Sequence, residues 1–227
     1  MAKPKKIWEN VYQIGGSNIS HTSDCCIYLV GIGGNEGVMI DCGAGQSANK
    51  LVANMKSVGV DPQQLKALIL THCHIDHIGA ANLFKERYNC RLIAHINDQD
   101  AIEGKDITKT AAQWYGVDYS PAKIDHILAG DFEKLSIGNV KFNCIHTPGH
   151  TPGSISVFCD IIDKRVLFGQ DVHGPFDESF GSNISDWRAS MQKLLDLEAD
   201  ILCEGHFGIY RPKEEVKKYI EGYLRRF

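Results

Sequence analysis

Three histidines and one aspartate stand close together in the stretch Thr71-His72-Cys73-His74-Ile75-Asp76-His77. The stretch follows the apolar run Leu68–Leu70, which predicts a buried strand, and precedes Ile78–Ala81, which predicts the start of a helix. Imidazole and carboxylate groups contribute little to an apolar core, whereas they are the donors that zinc, iron and manganese accept. The stretch therefore predicts a metal-binding loop between a strand and a helix.

Length and composition are those of an ordinary globular protein. The chain has 227 residues, of which 43% are hydrophobic and 23% are charged, and its formal net charge is −4. A chain of this length can bury a sizeable core, so we expect one domain over residues 1–227 and a catalytic rather than a structural metal. The near-neutral charge argues against nucleic acid as a partner. The lack of a long apolar run argues against a membrane span.

Cysteine usage favours a reducing compartment. The eight cysteines form no CxxC pair, and an exported protein would risk mispairing that many thiols. The N-terminal residues also lack the apolar run of a secretory signal. We therefore expect a cytoplasmic protein; self-association stays open, with a homodimer as the form to expect if it occurs.

Strand-like segments come first in each half of the chain, and helical segments follow them. This order predicts an α+β fold in which two sheets pack together with helices outside. The segment 97–128 between the halves is predicted to be helical, either as a cap over one edge of the site or as an ordinary helical pair. Ser185 is expected to cap the helix after it. The predicted strands are Val11–Ile14, Ile27–Val30, Val38–Asp41, Leu68–Leu70, Arg91–Ala94, Val140–Ile145, Ile155–Phe158, Arg165–Phe168 and Ile201–Cys203.

Further metal-ligand residues follow predicted strands later in the chain. His150 lies in a loop rich in proline and glycine, Asp171 follows one apolar run, and His206 follows another. Loop residues delivered by buried strands can be held within the narrow tolerance that a metal requires. A lone loop histidine is seldom a ligand, but together with the first cluster these residues predict one metal centre.

The pattern His-x-His-x-Asp-His, followed by His150, Asp171 and His206, resembles the metallo-β-lactamase superfamily. Asp41, within Met39–Gly43, matches the family's first motif. The resemblance implies a four-layer αββα sandwich, the metallo-β-lactamase fold, with the site along one edge of the two sheets. It also implies that Asp41 orients a ligand histidine or the loop backbone, although a plain turn or cap role stays open.

The same resemblance implies a dinuclear centre, with zinc favoured and iron or manganese as alternatives. The implied ligands of the first metal are His72, His74 and His150; those of the second are Asp76, His77 and His206; Asp171 bridges the two. Seven protein ligands are too many for one tetrahedral zinc, so the chemistry of the donors agrees with this assignment.

Two cations that share a hydroxide predict acyl hydrolysis. They lower the pKa of bound water from ~15.7 to about 7, and one of them can polarise a carbonyl oxygen. The ligand set looks most like the glyoxalase II-like group, which implies a dinuclear metal-dependent hydrolase of thioesters or related esters. Asp76 and Asp171 would then be catalytic residues as well as ligands.

Some relatives fit less well. Subclass B1 lactamases carry cysteine where Asp171 stands, so β-lactam cleavage is not expected as the main activity. Glyoxalase II adds a basic helical domain that this sequence does not show, so glutathione specificity is not expected either. A lactonase would want a tyrosine near Asp171, and none lies between Asp171 and Tyr210. A mononuclear-iron persulfide dioxygenase, which would use His72, His150 and Asp171, is the other alternative.

Substrate contacts are expected from the segment 97–119 and from the loop 174–185. These segments offer aromatic side chains without an obvious clamp for a carboxylate or phosphate, so we expect a small-molecule thioester, ester or lactone as substrate. His173, two residues after Asp171, is expected to act as an acid or base or to touch the substrate; an ordinary loop role stays open. The aromatic residues in question are Trp114, Tyr115, Phe176 and Phe180.

Overall fold

Two β-sheets form the centre of the protein. The computed structural model describes residues 2–227. The strands of the first sheet are β1 (Lys5–Trp8), β2 (Val11–Gln13), β3 (Tyr28–Gly31), β4 (Gly37–Ile40), β5 (Leu65–Ile69), β6 (Arg91–His95) and β7 (His126–Leu128), and they lie in this order across the sheet. The strands of the second sheet are β8 (Phe132–Ile137), β9 (Val140–His146), β10 (Ile155–Ile161), β11 (Lys164–Gln170), β12 (Ile201–Glu204) and β13 (Ile209–Tyr210), also in chain order across the sheet.

Helices cover the outer face of each sheet. The helices are α1 (Ala48–Ser57), α2 (Ile75–Ile78), α3 (Ala81–Tyr88), α4 (Gln99–Ile102), α5 (Ala112–Tyr115), α6 (Ile184–Asp196) and α7 (Lys213–Leu224). One buried cluster joins α1 and α3 to the first sheet, a second lies between the sheets, and a third joins α6 and α7 to the second sheet. Three apolar interfaces separate four layers, and this arrangement is the αββα sandwich.

Both faces of each sheet are buried, and the strands show why. In β11, Val166 and Phe168 face the first sheet while Leu167 faces α6, because successive side chains point to opposite faces. In β5, Leu68 and Ile69 divide between the two faces in the same way. A strand with two buried faces must be apolar at every position, and this explains the continuous apolar runs in the sequence.

Parallel pairing brings the ligand loops to one edge. β5 runs parallel to β4 and to β6 in the first sheet, and β11 runs parallel to β12 in the second. The carboxyl ends of parallel strands lie at the same edge, where α/β proteins bind their ligands. Gln170 pairs with Glu204 at the end of β11 and β12, so Asp171 and His206 leave the sheet side by side.

The predicted fold class is confirmed, and two local predictions are wrong. Residues 126–128, at the end of the segment predicted as helical, form strand β7 of the first sheet. The side chain that caps α6 is that of Asn183, which accepts from the backbone N–H of Asp186, and not that of Ser185. Strands β1, β8 and β13 were not predicted, since their exposed positions break the apolar pattern.

The eight cysteines are all buried as free thiols. Burial raises the pKa of Cys144 and of Cys159, so these thiols stay protonated and pack as small apolar side chains. Within residues 2–227, the helices are too short or too polar for any of them to cross a membrane.

Gly79 allows the helical end of the histidine-rich loop to lie against the loop that follows β4. A methyl group at Gly79 would come within 2.5 Å of the Ala44 carbonyl oxygen. We expect Gly79→Ala to lower the free energy of unfolding by about 1–3 kcal/mol, as overpacking does. Gly222→Ala is the matched control: Gly222 lies in α7 with no neighbour within 4 Å of an added methyl, so alanine should stabilise the helix by about 0.5–1 kcal/mol. Urea denaturation of the two variants measures both changes. Equal shifts of the unfolding midpoint would contradict the close packing of Gly79.

Candidate metal centre

The histidine-rich loop is buried at the edge of the first sheet. It follows β5, and His74 is the residue before the first turn of α2, which carries Asp76 and His77. The side chains of His72, His74, Asp76 and His77 are all buried. Four polar side chains without access to water need partners within the protein.

The loop shares these partners with two other loops. Ligand atoms of His72, His74 and His150 lie within 4.8 Å of one another, and so do those of Asp76, His77 and His206. His74 Nδ1 and His150 Nε2 are 2.8 Å apart, and His206 Nε2 is 3.1 Å from Asp76 Oδ2. The structure therefore gathers the predicted ligands into two groups of three, which we call the first and second triads.

Asp171 lies between the two triads. Its Oδ2 atom is 3.5 Å from His150 Nε2 in the first triad and 3.4 Å from His206 Nε2 in the second. Its Oδ1 atom is 3.3 Å from His77 Nε2. A side chain at Gly205 would clash with this carboxylate, so glycine there leaves room for Asp171. All seven predicted ligands thus share one buried cluster.

Unpartnered buried atoms show that this cluster suits metal ions. His72 Nε2, His77 Nε2 and Asp171 Oδ1 are buried and accept or donate no hydrogen bond among the described residues. Such orphaned polar atoms are costly unless something else engages them. A divalent ion with nitrogen and oxygen ligands would satisfy all three.

Hydrogen bonds prepare the ring nitrogens for this task. His72 Nδ1–H donates to Thr71 Oγ1 at 3.1 Å. His77 Nδ1–H donates to Asp41 Oδ2 at 2.8 Å, and His150 Nδ1–H donates to the Pro175 carbonyl at 2.9 Å. In each ring, Nε2 is then the nitrogen with a lone pair, and this is the usual arrangement for a metal-binding histidine.

The pKa values of the histidines shift in opposite directions in the two triads. Burial lowers the pKa of His72 well below its ordinary value and lowers that of His74 to about 3, so both rings are neutral, as a metal ligand must be. Burial also lowers the pKa of His206, but the charge of Asp171 outweighs it and raises the value to about 10. The carboxylates of the second triad thus attract positive charge, which either protons or a metal can supply.

Asp41 orients the histidine-rich loop. Its Oδ1 atom accepts from the Thr71 backbone N–H at 2.8 Å, and its Oδ2 atom accepts from Thr71 Oγ1 and His77 Nδ1, both at 2.8 Å. Asp41 thus orients a ligand ring and holds the loop backbone at once. The alternative of a plain turn residue does not account for these contacts.

Asp98 is a second tether, which sequence reasoning missed. This fully buried carboxylate accepts from the backbone N–H of Cys73 at 2.9 Å, from Thr151 Oγ1 at 2.7 Å and from the N–H of Gly153 at 2.7 Å. It therefore joins the loop of His72 and His74 to the loop of His150. In the sequence it is one polar residue of a helical segment, and no local signal marks it.

Glu204 is a third buried carboxylate beside the site. Its Oε2 atom accepts from the backbone N–H of His206 at 2.6 Å and of Phe207 at 2.7 Å, and its Oε1 atom accepts from His173 Nδ1 at 2.7 Å. His173 also offers a ring nitrogen within 4.8 Å of ligand atoms of Asp171 and His206. The structure thus places His173 beside the second triad, as expected, and shows that Glu204, which the sequence did not single out, holds it there.

A cavity of about 410 Å³ opens over the cluster. Three of the four aromatic residues predicted to contact substrate, Trp114, Tyr115 and Phe180, line this cavity. Phe207, the residue after His206, also lines it and was not predicted. Phe176 does not line it and packs against Trp187 instead, with 5.1 Å between ring centroids.

The sequence matches known families over most of its length. Residues 23–206 match the family model described as Metallo-beta-lactamase superfamily, and the chain belongs to this superfamily. It is similar to "Probable metallo-hydrolase YflN" of Bacillus subtilis, with 32% identity over 210 residues that cover 74% of each protein. It is also similar to "Hydroxyacylglutathione hydrolase GloC" of Haemophilus influenzae, with 29% identity over 172 residues that cover 73% of this chain and 78% of that one.

Solved structures agree on the fold. BJP-1, a subclass B3 metallo-beta-lactamase of Bradyrhizobium japonicum, superposes with a TM-score of 0.82 over 100% of this chain and 92% of its own, at 19% identity. A metallo-beta-lactamase mutant from Cronobacter sakazakii gives the same TM-score at 21% identity over 100% of this chain and 96% of its own. The predicted superfamily and its sandwich fold are confirmed.

Asp41→Asn should weaken zinc binding. Asparagine keeps the size of the side chain but loses the charge that fixes the His77 ring, and loss of such a partner typically costs about 10–100-fold in metal affinity. Competition with a chromogenic chelator measures the affinity. Asp61→Asn is the control, since Asp61 caps a surface turn by accepting from the N–H of Gln63. Equal affinities of the two variants would restrict Asp41 to a role in folding.

Proposed function

We propose that the protein is a dinuclear metal-dependent hydrolase of thioesters and related esters. The observation that carries the proposal is the position of Asp171, whose carboxylate touches His150 of the first triad and His206 of the second. A carboxylate shared in this way suits two metal ions a short distance apart. Similarity to the hydroxyacylglutathione hydrolase GloC supports a thioester substrate.

The residues of the site divide the chemistry between them. Bound divalent ions would supply Lewis acidity and lower the pKa of water. The two triads and Asp171 would hold the ions, and the cavity above them gives water and the substrate carbonyl access to the cluster. Because Glu204 accepts a hydrogen bond from His173 Nδ1–H, the lone pair of the His173 ring is on Nε2. This nitrogen would take a proton from the attacking water and pass it to the leaving group, so the proton lost by water ends on the leaving group.

The arrangement of the second triad argues against a mononuclear iron dioxygenase. That alternative needs only His72, His150 and Asp171 and leaves Asp76 and His77 without a task. In the structure, Asp41 holds His77 by a hydrogen bond and Asp76 lies 3.1 Å from His206 Nε2. Both side chains are buried within the cluster. A dinuclear hydrolase would use them as ligands of the second metal, whereas a mononuclear dioxygenase would not.

Lactone hydrolysis is the second candidate, and Tyr115 favours it. The sequence offered no tyrosine shortly after Asp171, but the structure brings Tyr115 into the cavity from α5. Burial raises the pKa of this phenol, and the nearby charge of Asp76 raises it further. A protonated phenol can donate to a leaving alkoxide, which needs that help more than a thiolate does because it is the stronger base.

Asp76→Ala tests the dinuclear centre. We expect about two zinc ions per chain in the natural protein and about one in the variant, together with at least about a hundredfold loss of thioester hydrolysis, since an ion that polarises the substrate contributes several kcal/mol. Elemental analysis and a thioester assay measure the two. Asp100→Ala is the control, because Asp100 is exposed and its carboxylate pairs with Lys105. One iron per chain in both proteins, with oxygen consumed in the presence of a persulfide, would refute the hydrolase.

Tyr115→Phe separates the two classes of substrate. If the phenol assists alkoxide departure, the variant loses about tenfold or more in kcat on lactones and less than about threefold on thioesters. Tyr119→Phe is the control, since the Tyr119 hydroxyl donates to the Ile102 carbonyl at 2.7 Å, outside the cavity lining. Equal losses on both substrate classes would assign Tyr115 to packing or binding.

A further inference from the structure

The mouth of the cavity has two aromatic walls. On one side the Trp114 ring meets Phe180 at 4.6 Å between centroids, and Phe180 meets His74 at 5.3 Å. On the other side the Phe207 ring meets His173 at 4.6 Å. Trp114 and Phe207 are each 59% exposed and both line the cavity, so their rings are free to contact a molecule that binds there.

Outside the metal cluster itself, the described lining of the cavity carries negative charge but no ammonium or guanidinium group. Among the described residues that line the cavity there is no lysine or arginine, whereas Asp177 contributes a carboxylate at the rim. Lys109 lies outside the lining, and its ammonium donates to the Ser179 carbonyl at 2.6 Å. An anionic group that extends from the metal centre towards solvent would therefore meet apolar rings and one negative charge.

We propose that this cavity selects thioesters whose thiol half is neutral and apolar, such as an aryl or alkyl thiol. Conjugates of anionic thiols such as glutathione would be weaker substrates. The inference rests on the proposed function for its reaction and on Trp114, Phe207 and Asp177 for its selectivity. The metal centre would bind the carbonyl, which every substrate shares, so the walls of the mouth decide between substrates.

Apolar contact and charge repulsion set the expected difference in affinity between neutral and anionic ligands. A phenyl group that loses part of its water-exposed surface between two rings gains enough free energy for about a tenfold tighter complex. An extra negative charge near one carboxylate in a solvated mouth weakens binding by about threefold to tenfold, and more at low salt.

Non-hydrolysable thioethers test the preference by binding alone. The probes are S-benzyl-N-acetylcysteamine (neutral, aromatic), S-methyl-N-acetylcysteamine (neutral, without the ring) and S-benzylglutathione (aromatic, net negative). Isothermal titration calorimetry on the zinc-loaded protein at low salt should rank them with the neutral benzyl probe tightest, by about tenfold over the methyl probe and by at least about threefold over the glutathione adduct. A glutathione adduct that binds as tightly as the neutral benzyl probe would overturn the proposal.

Paired variants tie the preference to the named residues. Trp114→Ala and Phe207→Ala should each lose at least about threefold in affinity for the neutral benzyl probe, with zinc content unchanged. The matched control is Phe132→Ala, because Phe132 is similarly exposed but lies on β8. Equal effects in all three variants would also overturn the proposal.

A variant of Asp177 tests the effect of the negative charge at the rim. Asp177→Asn keeps an oxygen acceptor for the Ser179 N–H and removes the charge, so S-benzylglutathione should gain about threefold in affinity while the neutral probes do not change. Asp163→Asn, in the exposed turn between β10 and β11, is the control. A gain in both variants, or in neither, would show that Asp177 does not repel anionic ligands and would contradict the charge selection.

Binding and turnover separate this inference from the proposed function. The proposed function fails if the zinc-loaded protein hydrolyses no thioester, ester or lactone, whatever the probes show. The selectivity fails if the probes or variants give the contrary order, even when thioesters are hydrolysed. When both hold, kcat/KM for acetyl thioesters of benzyl mercaptan and of glutathione follows the order of the probes.

Discussion

A group of buried carboxylates and imidazoles is stable only if positive charge accompanies it, and this constraint governs the rest of the structure. Asp76 and Asp171 are both buried, and each lies within 3.4 Å of His206 Nε2. Two carboxylates so close together repel one another in a medium of low dielectric constant. Their charges raise the pKa of His206 to about 10 despite its burial. The cluster therefore attracts positive charge, which protons or metal ions can supply.

Such a cluster also needs an outer frame that holds its members in place. Asp41, Asp98 and Glu204 supply it, and none of them belongs to the two triads. Each of these buried carboxylates accepts at least two backbone or side-chain donors from the loops that carry the ligands. A carboxylate that accepts several hydrogen bonds can remain buried without great cost, because the bonds compensate for the lost water. These hydrogen bonds hold the loops in one conformation, and a metal site requires ligands held in fixed positions.

Sequence reasoning found the cluster and one member of its frame, Asp41, but not Asp98 or Glu204, and the reason is physical. The predicted ligands His72, His74, Asp76 and His77 are recognisable because they lie close together in the sequence and because several imidazoles directly after a strand are uncommon. Asp98 owes its role to Cys73 and Thr151, which are 25 and 53 residues away in the chain, and no local pattern encodes such contacts. The strands show the same division: those with two buried faces were predicted, whereas β8, in which most positions are exposed or half-buried, was not.

Backbone strain marks the points where the frame acts. Asp41 and Gln170, which stand where β4 and β11 end, have positive φ angles of 60° and 51°, a conformation that costs about 1 kcal/mol or more outside glycine. The strain is offset locally: Asp41 accepts three hydrogen bonds, and Gln170 Oε1 accepts from the N–H of Asp171 at 2.7 Å. Each turn directs a carboxylate away from its sheet and into the site. Glycine would adopt these angles without strain, but it would remove the side chain that fixes the turn. Several hydrogen bonds thus fix each residue at the floor of the site, whereas the rim consists of the four-residue helix α5 and exposed aromatic rings. Substitutions at the rim therefore leave the hydrogen bonds of the buried cluster intact.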